Sequence, residues 1–249
     1  MFTGSRGIGK TSIARILARA VNCQNNQSGS PCGKCDNCLK LENQNDINII
    51  EIDAASNNRV DDVRELREKV KFMPVDAKYK VYIIDEVHML TDSAFNALLK
   101  TLEEPPRHII FILATTEAHK LPATILSRCV RFDFRLVGVD ELISLLKRVL
   151  DSENIEYDDE ALKAIAIAGE GSVRDTLSIA DSVIAYSIGK ITLEGVQRVL
   201  GTTDESLMIE YFNRLAEKDV GGILELVNKI DEGGKNMSIL VKDLSKHAR

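Results

Sequence analysis

A glycine-rich loop near the start of the chain restricts what this sequence can fold into. Residues 4–11 read GSRGIGKT and match the spacing GxxxxGK[ST]. In such a loop the glycines let backbone N–H groups point at phosphate oxygens, while the lysine reaches the β- and γ-phosphates and the threonine hydroxyl contacts magnesium. A helix from Thr11 adds the positive end of its dipole, although a glycine-rich turn before a helix can also be only a loop. The candidate nucleotide-binding residues are Gly4, Gly7, Gly9, Lys10, Thr11 and Ser12.

Apolar, β-branched runs alternate with helix-like segments in the first half of the chain. This alternation predicts an α/β fold with a parallel sheet, whose ligands bind at the carboxyl ends of the strands. The buried strands are expected at residues 47–52, 80–84 and 109–114, with a further alternating strand at 130–135. Amphipathic helices are expected at residues 60–72 and 93–103.

Helical periodicity dominates after residue 136. Four segments open with Asp, Ser or Thr in the N-cap position, which predicts a small helical domain. They are residues 140–152, 158–168, 172–187 and 192–200. Three more, at 205–217, 220–231 and 237–246, indicate the start of another helical domain. The domains predicted from this pattern are residues 1–136, 137–201 and 202–249.

Two adjacent acids follow the strand predicted at residues 80–84. In a nucleoside triphosphatase with a phosphate-binding loop, an aspartate in the position of Asp85 holds magnesium, and a glutamate in the position of Glu86 polarises the attacking water. Two solvated carboxylates after a buried strand are the alternative, but the loop at residues 4–11 favours the catalytic interpretation. His88 is assigned no role in the chemistry.

Three further polar residues are candidates for the same chemistry. Thr116 ends the strand predicted at 109–114, where a hydroxyl can reach a γ-phosphate, although a polar residue that merely ends a strand looks the same. Arg128 follows a short segment and either projects from the molecule or forms a weak surface ion pair. Arg174 lies in the first turn of a helix capped by Ser172, where a cation opposes the dipole unless an anion, such as Asp175, is near.

Four of the five cysteines cluster between residues 23 and 38. They are separated by turn-forming residues that let four thiolates converge, as a structural tetrahedral zinc site requires. Disulfides or free thiols are the alternatives, but cytosolic chains rarely keep disulfides. The candidate ligands are Cys23, Cys32, Cys35 and Cys38, whereas Cys129 is interpreted as a small buried apolar residue.

The composition narrows the partners and the compartment. No signal peptide or membrane-length apolar run is visible in the 249 residues, so a cytoplasmic location with no membrane partner is expected. The net charge of −6 argues against a surface covered with nucleic-acid contacts. Any DNA contact should therefore be confined to one face.

Together these motifs closely resemble the gamma/tau subunits of the bacterial DNA polymerase III clamp loader, a family of AAA+ ATPases. The resemblance covers nearly the whole chain and rests on GSRGIGKTS, the four-cysteine insertion, EIDAAS (51–56), IDEVHML (84–90), FNALLKTLEEPP (95–106), LATT (113–116), ILSRC (125–129) and GSVRD (171–175). It implies an ATP- and Mg²⁺-dependent motor that loads a sliding clamp onto primed DNA. It also implies an AAA+ core with a zinc-binding insertion, a helical lid and part of a helical collar. By the same resemblance Thr116 is sensor 1, Arg174 is sensor 2, and Arg128 is an arginine finger for the ATP of a neighbouring subunit.

The resemblance also implies partners. They are the other subunits of a hetero-pentamer, the sliding clamp, primer-template DNA and the polymerase holoenzyme. Arg59, Arg64 and Lys100 are the candidate phosphate contacts, with a solvated helix face as the alternative for each. A non-hydrolysing scaffold subunit and an AAA+ helicase or remodeller with a zinc module are the competing functions.

The sequence departs from that family at both ends. Only Met1, Phe2 and Thr3 precede the loop, where family members carry several tens of residues, and the collar is only begun. We therefore expect a fragment, or a misplaced start, of a longer protein. We also expect weak nucleotide binding and little turnover from this chain alone.

Overall fold

The chain divides into two compact units. The structure is a computed structural model that describes residues 1–26, 29–42, 47–187, 189–201, 205–232, 240–241 and 244–245. The first unit is Met1–Leu136 and the second is Val137–Arg249. No helix in the described residues is long and apolar enough to cross a membrane.

The first unit is built on a five-stranded sheet in which every pair of neighbours is parallel. The strands are β1 (Phe2–Thr3), β2 (Ile49–Asp53), β3 (Lys80–Asp85), β4 (Ile109–Thr115) and β5 (Phe132–Asp133). Their order in the sheet is β2-β3-β4-β1-β5, so the short β1 lies between β4 and β5. Because all five run in one direction, their carboxyl ends share one edge, as the predicted α/β class requires.

Helices cover both faces of this sheet. They are α1 (Lys10–Asn22), α2 (Asp36–Glu42), α3 (Val60–Val70), α4 (Asp92–Glu103) and α5 (Ala123–Leu126), with short 3₁₀ turns at Val87–Met89 and Ala118–Lys120. Alternate residues of β3 point to opposite faces, as in any strand. Val81 and Ile83 pack with Ala14 and Ala18 of α1, whereas Tyr82 and Ile84 join a larger core with α3 and α4. β3 is therefore buried on both sides, which explains its continuous apolar run from Val81 to Ile84.

Two local features of this unit differ from the sequence prediction. The strand predicted at 130–135 is reduced to Phe132–Asp133, and both residues are exposed. Phe132 lies at the edge of the sheet and its side chain keeps contact with Phe2 at 5.8 Å between ring centroids. Helix α2, which follows the third cysteine of the cluster, was not predicted because its seven residues are too few to show a helical period.

The described residues of the second unit form helices, with one isolated β-bridge between Tyr157 and Ile191. Helices α6 (Val139–Ser152), α7 (Asp159–Ala168), α8 (Val173–Tyr186) and α9 (Leu193–Leu200) share one core, and α10 (Glu205–Ala216) packs with α11 (Val220–Glu232) in a second. Ser172 and Thr192 cap their helices as predicted, but α6 begins at Val139 with Gly138 as its N-cap. Asp140 therefore lies in the first turn, where its carboxylate still complements the helix dipole. Most of the helix predicted at 237–246 lies outside the described residues.

Candidate nucleotide-binding site

The glycine-rich loop leaves β1 at the carboxyl edge of the sheet and enters α1. Gly4 has φ +143°, and a Cβ atom there would lie 2.5 Å from the backbone oxygen of Phe134. Gly9 is the N-cap of α1 in the left-handed conformation, with φ +93°. Both positions therefore need glycine, the first for space and conformation and the second for conformation. Gly7 is also left-handed, and Ser12 is exposed on the first turn of α1.

Lys10 lies over this loop and not in solvent. Its residue exposure is 6%, and its Nζ donates hydrogen bonds to the backbone oxygens of Gly4 (2.9 Å) and Ser5 (2.7 Å). A lysine ammonium needs acceptors when it is buried, and here the loop supplies them. The ammonium is thereby held at the mouth of the loop, where it can exchange these carbonyls for phosphate oxygens.

Thr11 and Asp85 meet across the gap between α1 and β3. The Thr11 hydroxyl donates to Asp85 Oδ2 at 2.7 Å, while Asp85 Oδ1 accepts the backbone N–H of Glu86 at 2.9 Å. A hydroxyl and a carboxylate are the hard oxygen ligands that Mg²⁺ prefers, alongside water and phosphate oxygens. The residues present therefore fit a magnesium ion shared with a triphosphate.

Glu86 is held in an unusual backbone conformation next to Asp85. Its φ and ψ are both 45°, in the left-handed region that few non-glycine residues adopt. Its carboxylate Oε2 accepts hydrogen bonds from the Thr116 backbone N–H (3.3 Å) and hydroxyl (3.1 Å). The structure thus brings together the two residues predicted for water activation and γ-phosphate sensing.

A buried histidine and a second glutamate lie beside Glu86, and sequence reasoning missed both. The His88 side chain is 6% exposed, with Nδ1 3.0 Å from the Thr115 hydroxyl and Nε2 3.3 Å from Glu117 Oε1. A hydrogen bond from Lys120 lowers the pKa of Glu117, so this carboxylate is ionised at neutral pH. Thr115 is the last of four consecutive buried residues of β4, but no sequence period could show that His88 turns toward it.

Arg128 lies apart from this cluster of loop and strand-end residues. Its Nη1 donates to the backbone oxygen of Thr124 at 2.6 Å, and its Nη2 donates to Glu103 Oε1 at 2.9 Å. The two side chains of this ion pair are 36% and 46% exposed. The surface ion pair that the sequence left open is therefore present, and it holds the guanidinium at the C-terminal end of α4.

Arg174 lies in the second unit, on the first turn of α8. Ser172 Oγ accepts the backbone N–H of Asp175 at 3.2 Å, which is half of the predicted capping box. Arg174 is exposed and forms no hydrogen bond or ion pair within the described ranges of the chain, so the suggested pairing with Asp175 is not observed. A cation at a helix N-terminus without a neutralising partner remains available to an external anion.

The four clustered cysteines converge. Their Sγ atoms all lie within 4.8 Å of one another, with Cys23–Cys35 and Cys32–Cys38 at 4.0 Å. A tetrahedral zinc site with Zn–S bonds of about 2.3 Å has sulfur–sulfur edges of about 3.8 Å. No sulfur pair is at disulfide distance, and all the cysteines are free. The backbone N–H groups of Gln24 and Cys38 lower the pKa of Cys35 to about 6, whereas burial raises the pKa of Cys38 to about 12.

The remaining candidates lie on helix surfaces. Arg59 is the N-cap residue of α3, Arg64 pairs with Asp61 at 3.1 Å on the same helix, and Lys100 is exposed near the end of α4. The described surface of α3 carries both signs of charge, with Asp61, Asp62, Glu65 and Glu68 among its basic residues. These three residues therefore do not form a distinct basic patch that would support the hypothesis of phosphate contacts. Cys129, which was expected to be buried, is only partly buried and packs against the main core.

Sequence comparison identifies the family. A family model described as "DNA polymerase III, delta subunit" matches residues 1–137. The chain belongs to this DNA polymerase III family. A second model, described as "DNA polymerase III clamp loader subunit, ATPase lid domain", matches residues 142–189 in the helical unit.

Curated relatives of this chain carry the names gamma and tau. It is 45% identical to DNA polymerase III subunit tau of Bacillus subtilis over 98% of this chain and 43% of the relative. The identity is 43% with subunit tau of Escherichia coli, covering 98% and 38%, and 41% with subunit gamma of Buchnera aphidicola, covering 98% and 66%. The resemblance to the gamma/tau subunits is confirmed. The chain spans less than half the length of the two tau relatives.

The fold of this chain is similar to that of a more distant protein of known structure. The Holliday junction branch migration motor RuvB of Thermotoga maritima matches with a TM-score of 0.59 over 86% of this chain and 67% of the RuvB chain. The sequence identity is 19%, so the match bears on the fold alone. It supports a fold that contains a parallel α/β sheet and a helical unit.

Proposed function

We propose that this chain is an ATP-binding and ATP-hydrolysing motor subunit of the DNA polymerase III clamp loader, which loads the sliding clamp onto primed DNA. The observation that carries the proposal is the meeting of Lys10, Thr11, Asp85, Glu86 and Thr116 at one edge of the sheet. The hydrogen bonds Thr11–Asp85 and Thr116–Glu86 join residues that are distant in sequence. The gamma and tau names of the relatives support the assignment to the loader.

The residues divide between binding and hydrolysis. Gly4, Gly7 and Gly9 shape the loop, and Lys10 stabilises phosphate charge that is already present in bound ATP. Thr11 and Asp85 would hold Mg²⁺, and the ion would supply positive charge that offsets the charge of the phosphates. Ser12, next to Thr11 on the first turn of α1, adds a hydroxyl near the phosphates.

Hydrolysis requires a polarised water molecule and a sensor of the γ-phosphate. Glu86 is the proposed general base for the water, and Thr116 is the proposed sensor 1 because its hydroxyl already donates to Glu86. Arg174 is the proposed sensor 2, supported by its exposed position at the start of α8. Arg128 is the proposed arginine finger for the ATP of a neighbouring subunit, and its guanidinium would have to exchange the ion pair with Glu103 for that ATP.

Zinc is the proposed occupant of the cysteine cluster, and its role is structural. Four sulfur ligands leave no open coordination position, so the ion would order the segment around residues 23–38 without taking part in ATP chemistry. We also keep the domain division at residues 1–136, 137–201 and 202–249 as a proposal, with a lid and the start of a collar in the second unit. The lid match at 142–189 supports the first of these helical domains.

The proposed partners follow from the function. They are the other subunits of a hetero-pentameric loader, the sliding clamp, primer-template DNA and the polymerase holoenzyme, at a cytoplasmic location. Arg59, Arg64 and Lys100 remain the proposed DNA phosphate contacts. Of these, Arg64 has the weaker support because Asp61 already neutralises it.

Two variants test the ATPase proposal. Lys10→Ala should abolish nucleotide binding, measured by titration with a fluorescent ATP analogue, because the loop loses its ammonium. Glu86→Gln should leave that affinity within a few fold and stop phosphate release, since Glu86 acts mainly when water attacks. Lys163→Ala, at an exposed position of α7, controls for the loss of a positive charge. Equal loss of binding in Lys10→Ala and Glu86→Gln would refute the role of Glu86.

Competing functions give different results in the same assays. A non-hydrolysing scaffold subunit would release no phosphate even with clamp, primed DNA and the other loader subunits present. An AAA+ helicase or remodeller would form a homohexamer and displace a DNA strand without a clamp. The intact Lys10–Thr11 pair favours the motor over the scaffold, because a scaffold has no use for that loop.

A further inference from the structure

A buried imidazole lies between two carboxylates at the edge of the proposed ATP site. Glu86 Oε2 is 3.4 Å from His88 Nδ1, and Glu117 Oε1 is 3.3 Å from His88 Nε2. The His88 side chain is 6% exposed, whereas the Glu86 and Glu117 side chains are 31% and 36% exposed. The buried ring thus lies between the two more exposed carboxylates and limits how closely they can approach each other.

His88 also reaches Glu86 by a second route through β4. Its Nδ1 is 3.0 Å from the Thr115 hydroxyl, which accepts the backbone N–H of Glu117 at 3.0 Å. Thr115 is fully buried, and the next residue, Thr116, donates both of its hydrogen bonds to Glu86. A change in the position of Thr115 would therefore move the donors that orient the Glu86 carboxylate.

We propose that His88, anchored by Glu117, is a positioning residue that holds Glu86 and Thr116 in their mutual arrangement for ATP hydrolysis. The inference rests on the proposed function, because it gives Glu86 the role of base. His88 acts through its neighbours and does not itself contact ATP. Glu117 is tied down in turn by Lys120, whose Nζ donates to it at 2.9 Å.

A packing role alone would give a different pattern of defects. If His88 only filled space, its loss would lower stability and would weaken ATP binding and turnover together. A positioning role lowers kcat while the affinity for ATP, which depends on Lys10 and the loop, stays near that of the wild type. The expected loss in kcat for His88→Ala is roughly 10- to 100-fold, the range found when groups that orient a metal ligand are removed.

Two conservative variants separate the two nitrogens of the ring. Asparagine places an amide near the position of Nδ1, and glutamine places one near Nε2. His88→Asn should keep the contact with Thr115 and retain more turnover than His88→Gln, which keeps only the contact with Glu117. His119→Ala is the matched control, because His119 is also near Glu117, at 3.7 Å, but its side chain is 76% exposed. Its turnover should equal that of the wild type.

The measurements are the ATP affinity, kcat for phosphate release with clamp and primed DNA, and the urea midpoint of each variant. A double-mutant cycle of His88→Ala and Glu86→Gln on the urea midpoint adds a readout that needs no turnover. Non-additive midpoint shifts are expected for residues in contact. Additive shifts, or a His88→Ala kcat within twofold of the wild type, would overturn the inference.

Failure of the inference can be told apart from failure of the proposed function. If Glu86→Gln still hydrolyses ATP, the role of Glu86 is wrong and the inference falls with it. If Glu86→Gln is inactive while His88→Ala is normal, the ATPase proposal stands and only the positioning role is refuted. A parallel loss of ATP affinity and kcat in His88→Ala would show a general structural role instead.

Discussion

Replacing Gly4 with alanine should destabilise the sheet unit more than the same change at Gly9. The φ of +143° at Gly4 disfavours any side chain, which costs about 1–3 kcal/mol. The new methyl group would also lie 2.5 Å from the Phe134 oxygen and 2.7 Å from Ile8 Cδ1. Phe134 cannot move freely because its backbone N–H donates a hydrogen bond to the backbone oxygen of Thr3 at 2.7 Å. Overpacking of this kind adds about 1–3 kcal/mol, so the expected total is about 2–6 kcal/mol.

Gly9→Ala is the matched control, because it carries the same kind of conformational cost but introduces no steric clash. Its φ is +93°, but no atom lies within 4 Å of the position that the new methyl group would take, so only the conformational cost of about 1–3 kcal/mol applies. The chain has no tryptophan, so urea unfolding is best followed by far-UV circular dichroism without nucleotide. Neither substitution lies in the helical unit, whose own transition should stay in place. Losses that agree within about 0.5 kcal/mol would show that the contact between Gly4 and Phe134 is not rigid and would refute the reasoning.

Three further predictions concern the zinc cluster, Arg128 and Asp133. Metal analysis without chelator should find one zinc per chain, and a value near zero with four titratable thiols would contradict the site. Arg128→Ala should bind ATP normally in isolation but lose on the order of 10³–10⁵ in turnover at the neighbour's site, as arginine fingers do in GTPases; mixed assemblies should lose only the sites that face the mutant. Hydrogen bonds from Thr3 and Arg131 lower the pKa of Asp133, so its contribution to stability is present above about pH 4 and is lost as the pH falls further. The stability difference between the wild type and Asp133→Asn should therefore shrink in acid, and a constant difference from pH 7 to pH 3 would exclude this linkage.

The parts of the site that the sequence predicted are those carried by short contiguous patterns. The loop at residues 4–11, the acids after β3 and the spacing of the cysteines each specify a local backbone path. The strands that run into these motifs are recognisable because the interiors of β3 and β4 are continuous apolar runs, most of whose residues are buried. Parallel strands then bring Asp85 and Thr116 to one edge without further information.

The parts that the sequence did not predict depend on side-chain directions between elements. His88 and Glu117 belong to different strand ends, and their contact follows from the 3₁₀ turn at Val87–Met89. The pairing of Arg128 with Glu103 depends on where α5 meets the end of α4. The length of β5 was overestimated because alternating residues indicate a strand even where only two of them find partners. None of these features produces a repeating pattern of residues that could be recognised in a single sequence.

The conformation of Glu86 links the fold to the separation of binding from hydrolysis. A left-handed glutamate costs about 1–3 kcal/mol and persists only when its surroundings fix it. Here Asp85 Oδ1 accepts a hydrogen bond from the Glu86 backbone N–H, and the Glu86 backbone oxygen accepts one from the Met89 backbone N–H at 2.8 Å. The intervening residue Val87 is fully buried. These contacts belong to β3 and its following turn, whereas Lys10 and the loop belong to β1 and α1. The Thr11–Asp85 hydrogen bond joins the two sets directly. Substitutions at Glu86 and in the turn that follows it should therefore change turnover first, and those in the loop should change ATP affinity first.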